Sequence, residues 1–476
     1  MITASRESPD LPAGWAQATL GDIVDVVKQQ VDPRDRPNEW YNYLSIENVE
    51  SNTGNLVDFR PTRGNDIRST KLAFTTKDVL YSKLRPYLNK VHIPFFDGIS
   101  ATDLVPLRPR DPVPREFIAY LLRRRQTVEY VSQRIRGIEL PRVPLEVLLS
   151  MPILLPPLDE QKRIITKVGK LSQELKTARQ TLERIPNLIK QFRQSVRAAA
   201  FRGELTERQL CGESGTELVA RSKHHESWFA AKSGRSNSGM LALSEDIDVP
   251  AGWARARLGE ICLPVETTNP RTRPGETFQY IDIASIDNRR NLIAKPKRLL
   301  GRDAPSRARQ RIKKGDTLFS TVRTYLRNIA LVPDEYNGQV CSTGFCVIRP
   351  MPIINPEFVF YYVLTDEFIS KVTPTQTGIL YPATKDLVIF EQPIPIPPRR
   401  EQDEIASRLR YFSTVADDVE EPSRVALTNV TVAEQSILAR AFLGELVPQN
   451  PTDEPASALI EHIRKKGQES KEPKGR

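Results

Sequence analysis

The chain is poor in what catalysis and metal binding usually need. Its 476 residues include four cysteines and four histidines. No two cysteines form a CxxC pair, so a zinc site lacks both ligands and spacing. Cys341 and Cys346 run into a Phe/Val/Ile stretch and read as buried reduced thiols, and His224-His225 as a solvated pair in polar surroundings. No metal is expected. Gly-rich phosphate loops of the GxGxxG or GxxxxGK[ST] type, HExxH and GxSxG are all missing, which argues against nucleotide, zinc-peptidase and serine-hydrolase chemistry. No apolar run approaches the roughly 20 residues that span a bilayer, and the start lacks the basic and apolar segments of a signal peptide. A cytoplasmic protein is expected. Asn355-Pro356-Glu357-Phe358 superficially resembles the base-gripping box of adenine methyltransferases, but lacks its second proline. A helix N-cap followed by proline explains it better.

Positive charge is present in excess. The net charge of +10 and pI near 9.3 favour an acidic partner, nucleic acid first.

The second feature present is a duplication. Leu11-Pro12-Ala13-Gly14-Trp15 and Leu20-Gly21-Asp22-Ile23 return as Val249-Pro250-Ala251-Gly252-Trp253 and Leu258-Gly259-Glu260-Ile261. Pro156-Pro157, Glu160-Gln161 and Ala200-Phe201-Arg202-Gly203-Glu204-Leu205 return as Pro397-Pro398, Glu401-Gln402 and Ala441-Phe442-Leu443-Gly444-Glu445-Leu446. Two copies are too few for a solenoid and suggest a pseudo-twofold molecule. Each copy divides in the same way: a globule at 1–158 and a long helix at 159–205, a polar linker at 206–241, then a globule at 242–399 and a helix at 400–446, with a polar tail at 447–476.

The globules read as mixed, strand-rich α+β units. Strands are expected at Leu104–Leu107, Ile153–Leu155, Phe345–Ile348 and Ile394–Ile396, and one helix in each globule at Glu116–Arg136 and Glu357–Val372. Beyond each Pro-Pro the period changes. Ile164, Val168, Leu171, Leu175, Ala178, Leu182, Ile185, Ile189, Phe192, Val196 and Ala199 alternate steps of four and three. Ile405, Leu409, Phe412, Ala416, Val419, Val430, Ala433 and Ile437 keep the same register. That is a coiled-coil seam, and because the phase survives Pro186 and Pro422, kinks rather than helix ends are expected there. Residues 159–205 carry eleven basic and five acidic side chains, and residues 400–446 five basic and nine acidic. Opposite charge favours pairing of the two helices with each other over self-association, and chain geometry makes that pairing antiparallel.

Candidate DNA contacts fall into three groups. Lys83, Arg85, Tyr87 and Lys90 lie in a motif whose second copy holds Arg323, Tyr325 and Arg327; the retained Arg and Tyr serve either to contact DNA or to brace the fold. Arg60, Arg63, Arg68 and Lys71 face a denser counterpart of Lys295, Lys297, Arg298, Arg302, Arg307, Arg309, Arg311, Lys313 and Lys314, which is either a phosphate- and base-contacting surface or an ordinary solvated face. Gln133, Arg134 and Arg136 precede the Gly137-Ile138 loop, and Gln376 and Thr377 precede its equivalent at Gly378-Ile379. Gln and Arg at these places suit base edges.

Taken jointly and in order, these motifs resemble the specificity subunit of type I restriction-modification systems over nearly the whole chain. The resemblance implies two target recognition domains, each reading half of a split DNA site, with the paired helices setting the gap. It implies docking of two methyltransferase subunits that bind S-adenosylmethionine, with ATP- and Mg-dependent restriction subunits as further partners, and no cofactor in this chain. The reading is of binding without catalysis. A structural coiled-coil adaptor for protein partners is the alternative.

Overall fold

The computed structural model describes residues 11–207, 213–222, 228–229, 249–373 and 383–469. Contacts divide the chain into one unit of residues 1–183 with 425–476 and another of 184–424. Each unit therefore contains one globule, half of the first long helix and half of the second.

In the first unit, Pro12-Ala13-Gly14-Trp15 closes a turn in which Trp15 N donates to Pro12 O at 3.0 Å. Gly14 has φ of +76°, a conformation that costs glycine nothing and other residues strain. The strand Ala16–Thr19 then pairs antiparallel with Pro152–Leu155, so the globule's first and last strands lie side by side. Two four-stranded sheets lie between them in sequence. One orders Gln30–Val31, Lys71–Phe74, Gly98–Ser100 and Tyr43–Leu44; the other orders Val24–Val26, Leu104–Pro109, Val79–Ser82 and Val91–His92. Val79–Ser82 is buried on both faces, which explains why Val79, Leu80 and Tyr81 run without alternation. Arg108 clamps Asp78 from the neighbouring strand at 2.7 Å, and in the second unit Arg349 holds Asp316 in the same way at 2.7 Å.

The second unit repeats the plan. Ala254–Arg257 pairs with Pro393–Ile396. One sheet runs Lys297–Leu300, Thr277–Ile281, Val340–Ser342, Ala308–Arg311, and another runs Ile329–Leu331, Thr317–Ser320, Phe345–Ile348. Cys341 and Cys346 are buried, as expected, and so is Cys262. Cys211 and His224-His225 lie outside the described residues.

The helix expected in each globule is split. Arg115–Arg123 ends at Arg124, whose extended ψ of 147° starts a second helix, Arg125–Ser132. In the second unit Pro356–Val363 is followed by Asp366–Val372, capped by Thr365. Periodicity alone did not reveal the breaks because both pieces bury apolar faces. Asn355 is an N-cap: its side-chain oxygen accepts from Glu357 N at 2.8 Å and Phe358 N at 3.1 Å, with Pro356 at the first helical position.

The long helices are Leu158–Phe201 and Arg399–Ala441, and both continue through their prolines. Pairing is antiparallel within each unit. In the first, Arg179 meets Glu434 at 2.9 Å, and Arg163 meets Asp453, beyond the end of the second helix, at 2.6 Å. In the second, Arg193 meets Asp417 at 2.8 Å and Glu420 at 3.1 Å, while Thr206, beyond the end of the first helix, donates to Glu401 at 2.8 Å. Ile164, Val168, Ile405 and Leu409 are buried in the cores of the globules. Leu171, Leu175, Leu182, Ile189, Val196 and Ile437 are half-buried, as expected for a two-helix seam, and Val430 is buried. Phe192 sits edge-on to Phe412 with centroids 5.9 Å apart. Val419 departs from expectation. It is 44% exposed, because the inner positions of that turn are taken by Asp417 and Glu420, which hold Arg193.

Each unit's core is completed by the end of the helix that starts in the other copy. Leu438, Ala441 and Phe442 pack into the first core, Ala200 and Phe201 into the second. Burying Phe442, 3% exposed, is worth about 1.5–3 kcal/mol. The segments expected to be a polar linker and a polar tail each carry a helix. Gly215–Ser222 starts with Gly215 N donating to Gly252 O at 3.1 Å, and Ala456–Glu469 starts with Ala456 N donating to Gly14 O at 2.9 Å. The duplicated unit thus extends past the Gly-Glu-Leu motif.

Candidate nucleic-acid interface

The retained Ser-x-x-Arg-x-Tyr motif forms the same turn in both units. Ser82 Oγ donates to Leu84 O at 2.8 Å, and Ser320 Oγ to Val322 O at 2.9 Å. Serine is thus a brace. Arg85 and Arg323 both adopt the left-handed conformation with φ of 48°, and Asn89 and Arg327 follow with φ of 51° and 53°. A non-glycine residue held there costs on the order of 1–3 kcal/mol and persists only where its surroundings fix it. Arg85 N donates to Pro141 O at 2.8 Å, which fixes the first turn. Pro86 and Thr324, the residues after the arginines, are buried, whereas Tyr87 and Tyr325 are 50% and 54% exposed. The motif combines a braced backbone with side chains presented to solvent.

The hydrogen bond to Pro141 brings the Arg85 turn beside the Gly137 loop. Arg136 and Arg142 exchange backbone hydrogen bonds at 2.8 and 2.9 Å, closing a hairpin whose tip residue Ile138 is fully exposed. Gln133, Arg134 and Arg136 are exposed there, with Arg134 stacked over Tyr130 at 3.9 Å. Under the hairpin, Arg142 makes a two-pronged contact to Asp103, and Lys83 approaches the same carboxylate at 3.4 Å. Burial works against the charged carboxylate, but Arg142 and Lys83 outweigh it and hold Asp103 below the usual range. Lys83 is therefore occupied, and Lys90 is too, its ammonium donating to Ile46 O at 2.9 Å. Gln376 and Thr377 lie outside the described residues.

Arg60, Arg63 and Arg68 are exposed, but Lys71 is not a surface residue. It is 6% exposed, with Nζ donating to Ser69 O at 2.9 Å and lying 5.3 Å from the Tyr43 ring centre. Alternation along its strand turns that position inward. Sequence reasoning missed Trp40, which is 64% exposed, pairs across strands with Arg63 and carries its guanidinium at 5.1 Å. A tryptophan between polar residues at the edge of a short strand was the available signal.

In the second unit the dense basic cluster separates by pairing. Lys297 is tied to Asp282 at 2.5 Å, Lys313 to Glu266 at 2.6 Å, and Lys314 to Asp334 at 3.3 Å, while Arg302 lies 3.8 Å from Asp303. Arg309 donates to Ser306 O at 3.0 Å and Arg311 is half-buried. Arg327 bonds Leu364 O at 3.0 Å and the Asp366 carboxylate, so it braces the helix break. Lys295, Arg298 and Arg307 stay exposed.

Residues 12–187 and 250–428 match the type I restriction modification DNA specificity domain. The chain belongs to this family. It is similar to the specificity subunits of the type I restriction enzymes EcoDI of Escherichia coli, 24% identical over 95% of both chains, and EcoKI of Escherichia coli strain K12, 22% identical over 95% of this chain and 96% of that one. Among solved structures, a chain from a study of complex assembly and conformational transition of the type I R-M system has TM-score 0.66 at 22% identity, over 92% of this chain and 100% of the other. The HsdS subunit of Thermoanaerobacter tengcongensis has TM-score 0.55 at 20% identity, over 93% and 100%. The fold is that of these subunits, and the chain's role is DNA recognition. Among the described residues no helix is long and apolar enough to cross a membrane, and no group of His, Cys, Asp and Glu is placed to hold a metal.

Proposed function

We propose that each globule reads one half of a bipartite DNA site and that the chain itself performs no chemistry. The observation that carries this reading is the Arg-Tyr turn, built identically at Arg85–Tyr87 and Arg323–Tyr325 on braced backbone with exposed tyrosines. Exposed basic residues supply salt-dependent phosphate contacts. Side chains that differ between the globules, such as Arg136 and Arg298, supply discrimination between unlike half-sites. In this reading the protein works in the cytoplasm. Two methyltransferase subunits carrying S-adenosylmethionine dock on it, joined by restriction subunits that use ATP and Mg, and the paired long helices set the spacer.

The test is to assemble the subunit with its methyltransferase partners and map modified adenines. Adding one heptad to both long helices lengthens them by roughly 10 Å, which lengthens the preferred spacer by about three base pairs. An unchanged spacer overturns the role of the helices. Duplex affinity without a steep salt dependence favours the protein-adaptor reading instead.

A further inference from the structure

Arg197 sits near the end of the first long helix, inside the core of the second unit, and is 8% exposed. Its equivalent in the second long helix is Leu438, buried in the apolar core of the first unit. The fold at this place is therefore satisfied by leucine, and a guanidinium needs another reason. Removing such a charge from water costs several kcal/mol unless a counter-charge compensates.

Most carboxylates nearby are already committed, and Glu335, which also lines the larger cavity, is exposed and makes no ion pair with Arg197. Asp417 and Glu420 are bound to Arg193, Glu420 also to Arg289 at 2.7 Å, and Asp366 to Arg327. Among the described residues Arg197 has no hydrogen-bond or ion-pair partner. Two cavities, of about 370 and 240 Å³, are both lined by Arg193, Arg197 and Asn291. Arg290 joins the lining of the larger, and Lys190 and Arg327 that of the smaller. Arg290 and Lys190 also lack a carboxylate partner among the described residues. Burial, with Arg327 and Arg193 adding repulsion, pushes the Arg197 guanidinium down to about 10, the direction expected where positive charge is uncompensated.

We propose that Arg197, with Arg193, Arg290 and Lys190, forms a binding site for a tetrahedral oxyanion of the phosphate class. Guanidinium groups offer paired donors that match such an anion, and a doubly charged oxyanion neutralises what the carboxylates leave over. Because its ligands come from the first long helix and from the Arg290 loop, the anion joins that helix to the sheet-bearing part of the second unit. The anion is either inorganic phosphate or a phosphate of a DNA backbone.

The experiment uses the full chain in chloride buffer at fixed ionic strength, titrated with inorganic phosphate and followed by calorimetry and thermal melting. Wild type is expected to bind one phosphate saturably and to melt higher as phosphate rises. Arg197→Leu, which installs the residue the first unit uses, is expected to melt above wild type in chloride alone and to bind phosphate at least 10-fold more weakly. The exposed variant Arg290→Ala is expected to lose affinity without loss of folding, which keeps the test decisive if Arg197→Leu folds poorly. Absence of saturable binding to wild type, or equal binding by wild type and both variants, overturns the proposal. Competition of a non-specific duplex with phosphate for the wild-type site identifies the source as backbone phosphate, and then Arg197→Leu lowers the salt slope of duplex binding by about one. Phosphate binding undisturbed by duplex identifies the free anion.

Discussion

Arg179 donates to Glu434 at 2.9 Å across the two long helices, and the duplication maps this pair onto Glu420 and Arg193 with the signs exchanged. The acid and the base have traded helices while the contact has been kept. Opposite net charge along the helices therefore resolves into defined pairs. Arg179→Glu is expected to destabilise the first unit by about 1 kcal/mol, within the range of partly exposed ion pairs. Arg179→Glu with Glu434→Arg is expected to recover most of it. A double-mutant cycle by chemical denaturation checks the coupling.

The buried glutamates of the Pro-Pro-x-x-Glu-Gln motifs differ in one partner. Trp15 Nε1 donates to Glu160 and Trp253 Nε1 to Glu401, both at 3.0 Å, but only Glu401 also accepts from Thr206, whose counterpart in the first unit is Val447. Burial outweighs the Trp15 hydrogen bond and raises the Glu160 pKa. A raised carboxyl favours the folded state when protonated, so its contribution is present at low pH and is lost as pH rises through the raised value. Glu160→Gln is expected to match or exceed wild type in melting temperature at pH 8 and to lose that advantage by about pH 4. Glu401→Gln is expected to cost about 1–3 kcal/mol, because one amide cannot accept from both donors as well as a carboxylate does. Thermal melts of the three proteins across pH decide this.

At the left-handed arginine the backbone and the side chain can be separated. Arg85→Gly keeps the turn, with stability expected within about 1 kcal/mol of wild type, because relief of strain offsets the greater freedom of unfolded glycine. Loss of the guanidinium is expected to weaken recognition of one half-site by about 1–3 kcal/mol, roughly 10- to 100-fold. Titration of duplexes altered in one half-site at a time measures it.

Exposed and occupied cations should also part company in the salt dependence of binding. Arg298→Ala and Arg307→Ala are each expected to reduce the slope by about 0.9 for every phosphate that the arginine had neutralised. Lys71→Met is expected to leave the slope unchanged, since its ammonium is held by Ser69. Equal slopes for all three variants contradict the placement.

The strands at Leu104–Pro109 and Phe345–Ile348 and both long helices were legible because period and apolar runs report burial directly. Helix breaks at Arg124 and Thr365 were not, since they depend on backbone torsion at single residues. The final helix was hidden by the polar residues around it, although Leu459, Ile460 and Ile463 carry helical spacing and are buried. For the candidate interface, residue type identified the Arg85 and Arg323 turns. It did not separate Arg85 from Lys71, Lys83, Lys90 and Arg327, because occupation by an internal partner is a three-dimensional property. Similarly, Gln402 Oε1 accepts from Asn355 N at 2.9 Å while Gln161 lacks this bond, because its counterpart there is Pro114, which has no N–H.

The first core contains Leu438, Phe442, Leu459, Ile460 and Ile463 alongside Trp15, Leu20 and Phe117. On the ribosome, the globule before residue 158 emerges ahead of residues 438–463, which complete its core. At about 5–20 residues per second, the stretch from 184 to 424 takes on the order of 10–50 s to translate. The second unit is continuous in sequence and needs no such wait. Of the two globules, the one made earlier is therefore the one finished later, and until then part of its apolar core stays uncovered.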